Sequence, residues 1–213
     1  MPGGRKTPAL CQGRQCMVDA KHIRDEALSH DIPVMKDDGM QFLLHYIEEH
    51  ENIRDILEAG TAVGYSAIQM ALIRWDMTID TIEVDEQMYA QAKANIEAMN
   101  LSSRIHCHLM DAVDFETDKI YDLVFIDAAK SQYQRYLEHF LRFARRGTTF
   151  IFDNLGFHGI VDDPSLTHNR STRQMTAKIR HFRDRLLEDD RFETSYHGQI
   201  GDGIAVCVYK GSF

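Results

Sequence analysis

The chain has no apolar run approaching the ~18 residues that a membrane-crossing helix needs. Its first residues, Met1-Pro2-Gly3-Gly4-Arg5-Lys6, lack the apolar core of a secretion signal, so a cytoplasmic protein with no membrane contact is expected. Cysteine is scarce. Cys11, Cys16, Cys107 and Cys207 show neither metal-ligand spacing nor the density of a disulfide framework. Cys107 and Cys207 lie in apolar, strand-like runs and are expected as buried thiols. An excess of positive charge is missing too. A formal net charge of −9 over 213 residues excludes indiscriminate nucleic-acid binding, but not a local basic face on an acidic body. There is no internal repeat, low-complexity tract or linker.

What is present is a folding composition, with 44% hydrophobic residues and enough chain for one α/β domain. Residues 1–17 carry Pro, Gly and scattered charge without a period, and are expected to be flexible. A single domain is expected over 18–213. A weak helical pattern covers 18–30, a loop covers 31–39, and a helix covers 40–50. Strand and helix then alternate: strands at 55–60, 79–84, 104–110, 121–127 and 148–153, and helices at about 65–74, 86–99 and 132–143. This succession predicts a parallel sheet with helices on both faces. A basic helix at about 171–187 and two strands at 192–197 and 204–209, joined through Ile200-Gly201-Asp202-Gly203, predict an antiparallel hairpin that closes a seven-stranded sheet.

Two of these strands end in oxygen ligands. Phe125-Ile126-Asp127 runs into Ala128-Ala129-Lys130, and Phe152 is followed by Asp153-Asn154. Ligands on open α/β sheets bind at the carboxyl ends of strands. Neighbouring strands would bring Asp127, Asp153 and Asn154 together, and three hard oxygen donors suit Mg²⁺ or another hard divalent cation better than zinc. Lys130, three residues beyond Asp127, is a candidate proton acceptor for a hydroxyl bound there.

The first strand leads into Glu58-Ala59-Gly60-Thr61-Ala62-Val63-Gly64-Tyr65-Ser66, a glycine loop opening a helix. The spacing Gly-x-x-x-Gly is not the dinucleotide fingerprint Gly-x-Gly-x-x-Gly. Glu58 before the loop would repel a pyrophosphate but attract the cationic sulfonium of S-adenosylmethionine. Glu83 at the second strand's end can accept from both ribose hydroxyls, and Asp111-Ala112 after the third is placed to meet the adenine edge.

With these pieces assembled, the chain resembles the cation-dependent O-methyltransferases of the catechol and caffeoyl-CoA type. The resemblance covers roughly residues 31–210 and rests on residues 58–66, Thr81-Ile82-Glu83, residues 125–130 and Asp153-Asn154. It implies a Rossmann-like class I methyltransferase fold, S-adenosylmethionine as methyl donor, a divalent metal and a homodimer. By position, Met35, Ser66, Glu83, Ala112 and Asp127 would line the cofactor site, and Asp127, Asp153 and Asn154 would hold the metal. Ile32-Pro33-Val34-Met35, Asn154 to Gly159, and Ile200 to Ala205 resemble a bacterial subgroup that methylates 5-hydroxyuridine at the tRNA wobble position to 5-methoxyuridine. His158 stands where that subgroup commonly has lysine, and is the alternative to Lys130 as base, or a substrate contact. The partner implied is a tRNA anticodon loop, with Arg170, Arg173 and Lys178, and the basic run on to Arg180, Arg183 and Arg185, as phosphate contacts. A small catechol or phenolic thioester is the other substrate class, because vicinal oxygens chelate one cation in the same way. A non-catalytic nucleotide- or RNA-binding module is the third reading.

Overall fold

The computed structural model describes the backbone of residues 13–211 and the side chains of residues 20–211. Residues 1–12, most of the segment expected to be flexible, lie outside the described residues, as does Cys11. Six α-helices are described: α1 (Gly13–Ser29), α2 (Asp37–Glu49), α3 (Tyr65–Ile73), α4 (Glu86–Ala98), α5 (Tyr133–Phe140) and α6 (Arg170–Leu187). Seven strands are described: β1 (Asp55–Ala59), β2 (Thr78–Glu83), β3 (Ile105–Leu109), β4 (Leu123–Ile126), β5 (Thr149–Phe152), β6 (Phe192–His197) and β7 (Ile204–Tyr209). No helix among the described residues is long and apolar enough to cross a membrane.

The strands form one sheet in the order β3-β2-β1-β4-β5-β7-β6. β1 to β5 pair in parallel, and β7 runs antiparallel to both β5 and β6. The expected mostly parallel sheet with a C-terminal hairpin is therefore present. β6 and β7 match the expected ranges. Most other ends shift by a few residues, two helix starts among them. α1 starts before residue 18, and α2 starts at Asp37 rather than Met40. The α2 start has a local cause, since Asp37 and Asp38 sit in its first turn, where carboxylates favour the helix N-terminus.

Alternation along each buried strand splits the core into two layers. Phe125 and Ile151 face a layer built with α1, α2 and α3, where Ala27, Leu43, Ile47 and Ile68 are buried. Val124, Ile126, Phe150 and Phe152 face a layer built with α5 and α6, where Tyr133, Phe140, Ile179 and Phe182 are buried. α3 buries Tyr65, Ala67, Ile68, Gln69, Met70 and Ala71, so it carries no solvated face of the usual amphipathic kind. Cys207 is buried and Cys107 half-buried, and burial pushes both thiols up to about 12.

Strand order reverses between β1 and β4, so a crevice opens there at the carboxyl ends. Register sets what meets in it. Ala59 pairs with Ile126, and Ile126 with Phe152. Asp127 N–H then donates to Ala59 O at 3.0 Å, and Asp153 N–H to Ile126 O at 3.2 Å. The residues just past three adjacent strands, Gly60, Asp127 and Asp153, are thereby placed side by side.

A polar network sits away from this crevice. Asp80 on β2 is buried and accepts from His108 Nε2 (2.9 Å), Tyr121 Oη (3.0 Å) and Lys119 Nζ (3.1 Å). Burial alone would raise the Asp80 carboxyl, but these donors outweigh it and hold it down to about 2. A depressed carboxyl stabilises the fold above its unfolded value and loses that contribution as pH falls through the folded one. Asp80→Asn is therefore expected to cost about 1–2 kcal/mol at pH 7, allowing for partial solvent screening. The cost should fade between pH 4 and pH 2, as read by urea denaturation across that range.

Candidate active site

A cavity of about 700 Å³ lies over the reversal point. Gly60, Thr61, Ala62, Ser66 and Glu83 line it, together with Asp127, Lys130, Asp153, Asn154, Phe157 and Asp202. Met35, Met110, Asp111 and Ala112 line it too, so every expected cofactor residue except Glu58 faces the cavity.

Gly60 is required where it stands. Its φ is +103°, and a Cβ there would meet the Asp127 carbonyl oxygen at 2.2 Å. The glycine loop therefore packs directly on the tip of β4. Glu83 holds the loop in place: its Oε2 accepts from the Ala62 N–H at 2.8 Å, while Oε1 accepts from Val84 and Asp85 at 2.9 Å. Those bonds fix the carboxylate at the cavity wall, where carboxylate lone pairs can meet a diol. Asp111 caps the 3₁₀ turn Ala112–Asp114 through Val113 N–H at 3.1 Å. Four non-glycine residues with positive φ, Ala62, Asn154, Phe157 and His158, all line this one cavity. Clustered backbone strain of that kind marks sites where geometry is imposed for use.

Glu58 departs from its expected role. It is fully buried beneath the loop and takes hydrogen bonds from the Ser66 and Thr81 hydroxyls, both at 2.5 Å. Burial pushes its carboxyl up to about 7 against those two donors. It shapes Ser66 and the loop from behind, rather than meeting a ligand.

The metal-type trio does come together. Asn154 Nδ2 donates to Asp127 Oδ1 at 2.8 Å, and Asn154 N–H donates to Asp153 Oδ1 at 2.7 Å. Tyr133, buried, clamps the same strand end by donating to Asp153 O at 2.8 Å. Asp153 is pushed up to about 7 by burial and then by the charge of Asp127. Asp127 is raised as well, chiefly by burial, with Lys130 and Asn154 pulling the other way. Two desolvated carboxylates that oppose each other's ionisation make a site that a divalent cation would relieve. The donor chemistry fits: two hard carboxylates and an amide oxygen leave room for water or substrate in an octahedron. Lys130 Nζ stands 6.0 Å over the Phe157 ring, at the cavity wall beside these groups.

Several contributors carry no role that their sequence alone assigns. Asp202 looked like a turn residue between two glycines, yet it reaches the cavity from the β6–β7 turn. Phe157, like Asp202, stood out only within a subgroup-like segment, and Tyr133 carried no motif. The basic helix also needs correcting. Arg180 bonds Val161 O, and Arg183 is buried against Asp162 and Tyr196, so both are structural. Arg170, Arg173 and Lys178 are exposed, as expected.

Comparison with known proteins places this geometry. The pattern of the O-methyltransferase family matches residues 13–210. A catechol O-methyltransferase of Niastella koreensis is 29% identical over 168 residues, covering 74% of each chain. A caffeoyl-CoA O-methyltransferase of Stellaria longipes is 25% identical, covering 88% of this chain and 81% of that one. Among solved structures, a Staphylococcus aureus protein provisionally described as a caffeoyl-CoA O-methyltransferase is 30% identical with a TM-score of 0.84, covering 89% of this chain and 91% of that one. An O-methyltransferase of Bacillus cereus in complex with SAH is 26% identical, with a TM-score of 0.76 and 91% of each chain covered.

The raised carboxyl of Asp153 has a measurable sign. A carboxyl whose folded value lies above its unfolded value destabilises the fold once pH rises past it. In metal-free protein, Asp153→Asn is expected to be more stable than wild type at pH 8, by about 2–4 kcal/mol. The difference should vanish toward pH 4, where wild type also carries the proton, and thermal denaturation at both pH values reads it.

Proposed function

The chain belongs to the O-methyltransferase family, and from that premise we propose that it moves the methyl of S-adenosylmethionine to one of two vicinal oxygens held at Asp127, Asp153 and Asn154, with the 5-hydroxyl of tRNA wobble 5-hydroxyuridine as acceptor. The observation that carries the transfer itself is that the glycine loop with Glu83 and the Asp127–Asp153 pair line one cavity. When bound, Mg²⁺ or another divalent cation would supply Lewis acidity that eases ionisation of the acceptor hydroxyl.

The chain's own groups do the rest. Asp127 and Asp153, with Asn154, fix the acceptor end. Gly60, Met35, Ser66, Glu83, Asp111 and Ala112 fix the donor end, with Asp127 shared at the junction. Lys130 Nζ takes the hydroxyl proton. A C–O bond forms as the C–S bond breaks, S-adenosylhomocysteine leaves, and the proton remains on Lys130. Holding both reactants in one line is the main catalytic term for such a displacement.

Support for an RNA acceptor comes from α6. Arg170 and Lys178 are exposed and make no ion pair among the described residues, and Arg173 spends only Nε on Thr167 O at 2.8 Å. Three cations on a body of net charge −9 are a local basic face of the kind phosphate needs. The subgroup-like segments Ile32 to Met35 and Asn154 to Gly159 support the same acceptor. A small catechol or phenolic acceptor is the second reading, favoured by the catechol and caffeoyl-CoA names of the relatives above. We further propose that the protein works in the cytoplasm as a homodimer.

The deciding experiment is methyl incorporation by the purified protein with Mg²⁺. It compares anticodon RNA carrying 5-hydroxyuridine with catechol at matched concentration. A large preference for the RNA is expected, and a large preference for catechol would reverse the assignment. Lys130→Met should lower kcat by about 10²–10⁴-fold while cofactor binding holds. Replacing Arg170, Arg173 and Lys178 with alanine should raise KM for RNA about tenfold and flatten its salt dependence, with little change toward catechol.

A further inference from the structure

We propose that Asp202 reads the acceptor ring: its free Oδ2 takes a hydrogen bond from an N–H that the substrate carries beside the carbonyl facing Asp127 and Asp153. The proposal rests on the tRNA reading above and adds the residue that would tell a pyrimidine from a catechol.

Asp202 is anchored through one oxygen only. Oδ1 accepts from the His158 backbone N–H at 2.7 Å and from Lys36 Nζ at 3.2 Å. Its own carbonyl accepts from Gly156 N–H at 2.6 Å. The carboxylate is thus clamped between the loop leading into α2 and the loop leaving β5, two rims of the same cavity. Oδ2 is buried and accepts no hydrogen bond among the described residues. The side chain is 7% exposed, and the residue lines the cavity. His158 Nδ1 lies 3.3 Å away but is not aligned to donate, and its ring is 63% exposed.

A desolvated carboxylate oxygen without a donor is costly, so it calls for one from the ligand. No three His, Cys, Asp or Glu side chains among the described residues are grouped to hold a metal ion, and a hydrogen-bond donor is taken as the partner of Oδ2. The acceptor must therefore bring the donor. A catechol offers only C–H beside its two hydroxyls. In 5-hydroxyuridine the 5-hydroxyl and 4-carbonyl are the vicinal oxygens, and N3–H is the next group around the ring. A site built to hydrogen-bond a substrate N–H discriminates against analogues that lack it.

The test uses purified protein with Mg²⁺, S-adenosylmethionine and three anticodon oligonucleotides, bearing 5-hydroxyuridine, its N3-methyl derivative or its 3-deaza derivative. For wild type, N3-methylation should lower kcat/KM by about 10–100-fold. In Asp202→Asn the unmodified substrate should lose a similar factor, and the N3-methyl penalty should shrink below about threefold. An equal penalty in both proteins would overturn the role of Asp202. The 3-deaza substrate needs only wild type, so a misfolded variant does not block the test. It keeps both chelating oxygens and presents C–H in place of N3–H, and turnover equal to the parent would also overturn the proposal. If no oligonucleotide is methylated while catechol is, the tRNA reading itself fails and this inference falls with it.

Discussion

Everything at the active site depends on two carboxylates that the sheet forces together out of water. β4 and β5 pair in register, so Asp127 and Asp153 follow the matched residues Ile126 and Phe152. Each carboxylate makes the other harder to ionise, and burial adds to the cost. An unrelieved pair of this kind is a liability for a fold that is only marginally stable. The surrounding structure is organised to hold it nonetheless: Tyr133 fastens one strand end and Asn154 bridges the two acids.

The cofactor end is coupled to the same point. Gly60 packs so closely on the Asp127 carbonyl that no side chain fits between them. Movement of the β4 tip would therefore move the glycine loop, and with it Ser66 and the Ala62 amide that Glu83 holds. Donor and acceptor alignment is in this sense a property of three adjacent strand ends, and the loops add selectivity around them. Asp202 belongs to that outer layer. It draws the α2 entry, the β5 exit and the β6–β7 turn onto one buried carboxylate.

How much of this the residues disclosed in advance follows a physical rule. Strands β4 and β5 were legible because buried parallel strands are short unbroken apolar runs, and their polar ends stand out. Gly60 and Glu83 were legible because loop and strand-end chemistry is local in sequence. The direction of the Glu58 carboxylate was not. It depends on Thr81 from β2 and Ser66 from α3, which only tertiary packing supplies. Asp202 was hidden for the same reason, since its partners lie 44 and 166 residues away. Arg180 and Arg183 misled because basic residues on a helix look alike until the loop at 161–162 folds against them. The comparisons establish the family over residues 13–210, beyond what any one of these motifs carries.

The central claim is that Asp127, Asp153 and Asn154 jointly hold a divalent cation. The most direct measurement is anomalous diffraction from a crystal of the protein grown with Mn²⁺ and S-adenosylhomocysteine. The account predicts one strong peak about 2.1 Å from a carboxylate oxygen of each aspartate and from the Asn154 amide oxygen, with open positions facing the cavity. No peak there, or a peak held by other residues while the cofactor site is filled, would contradict it.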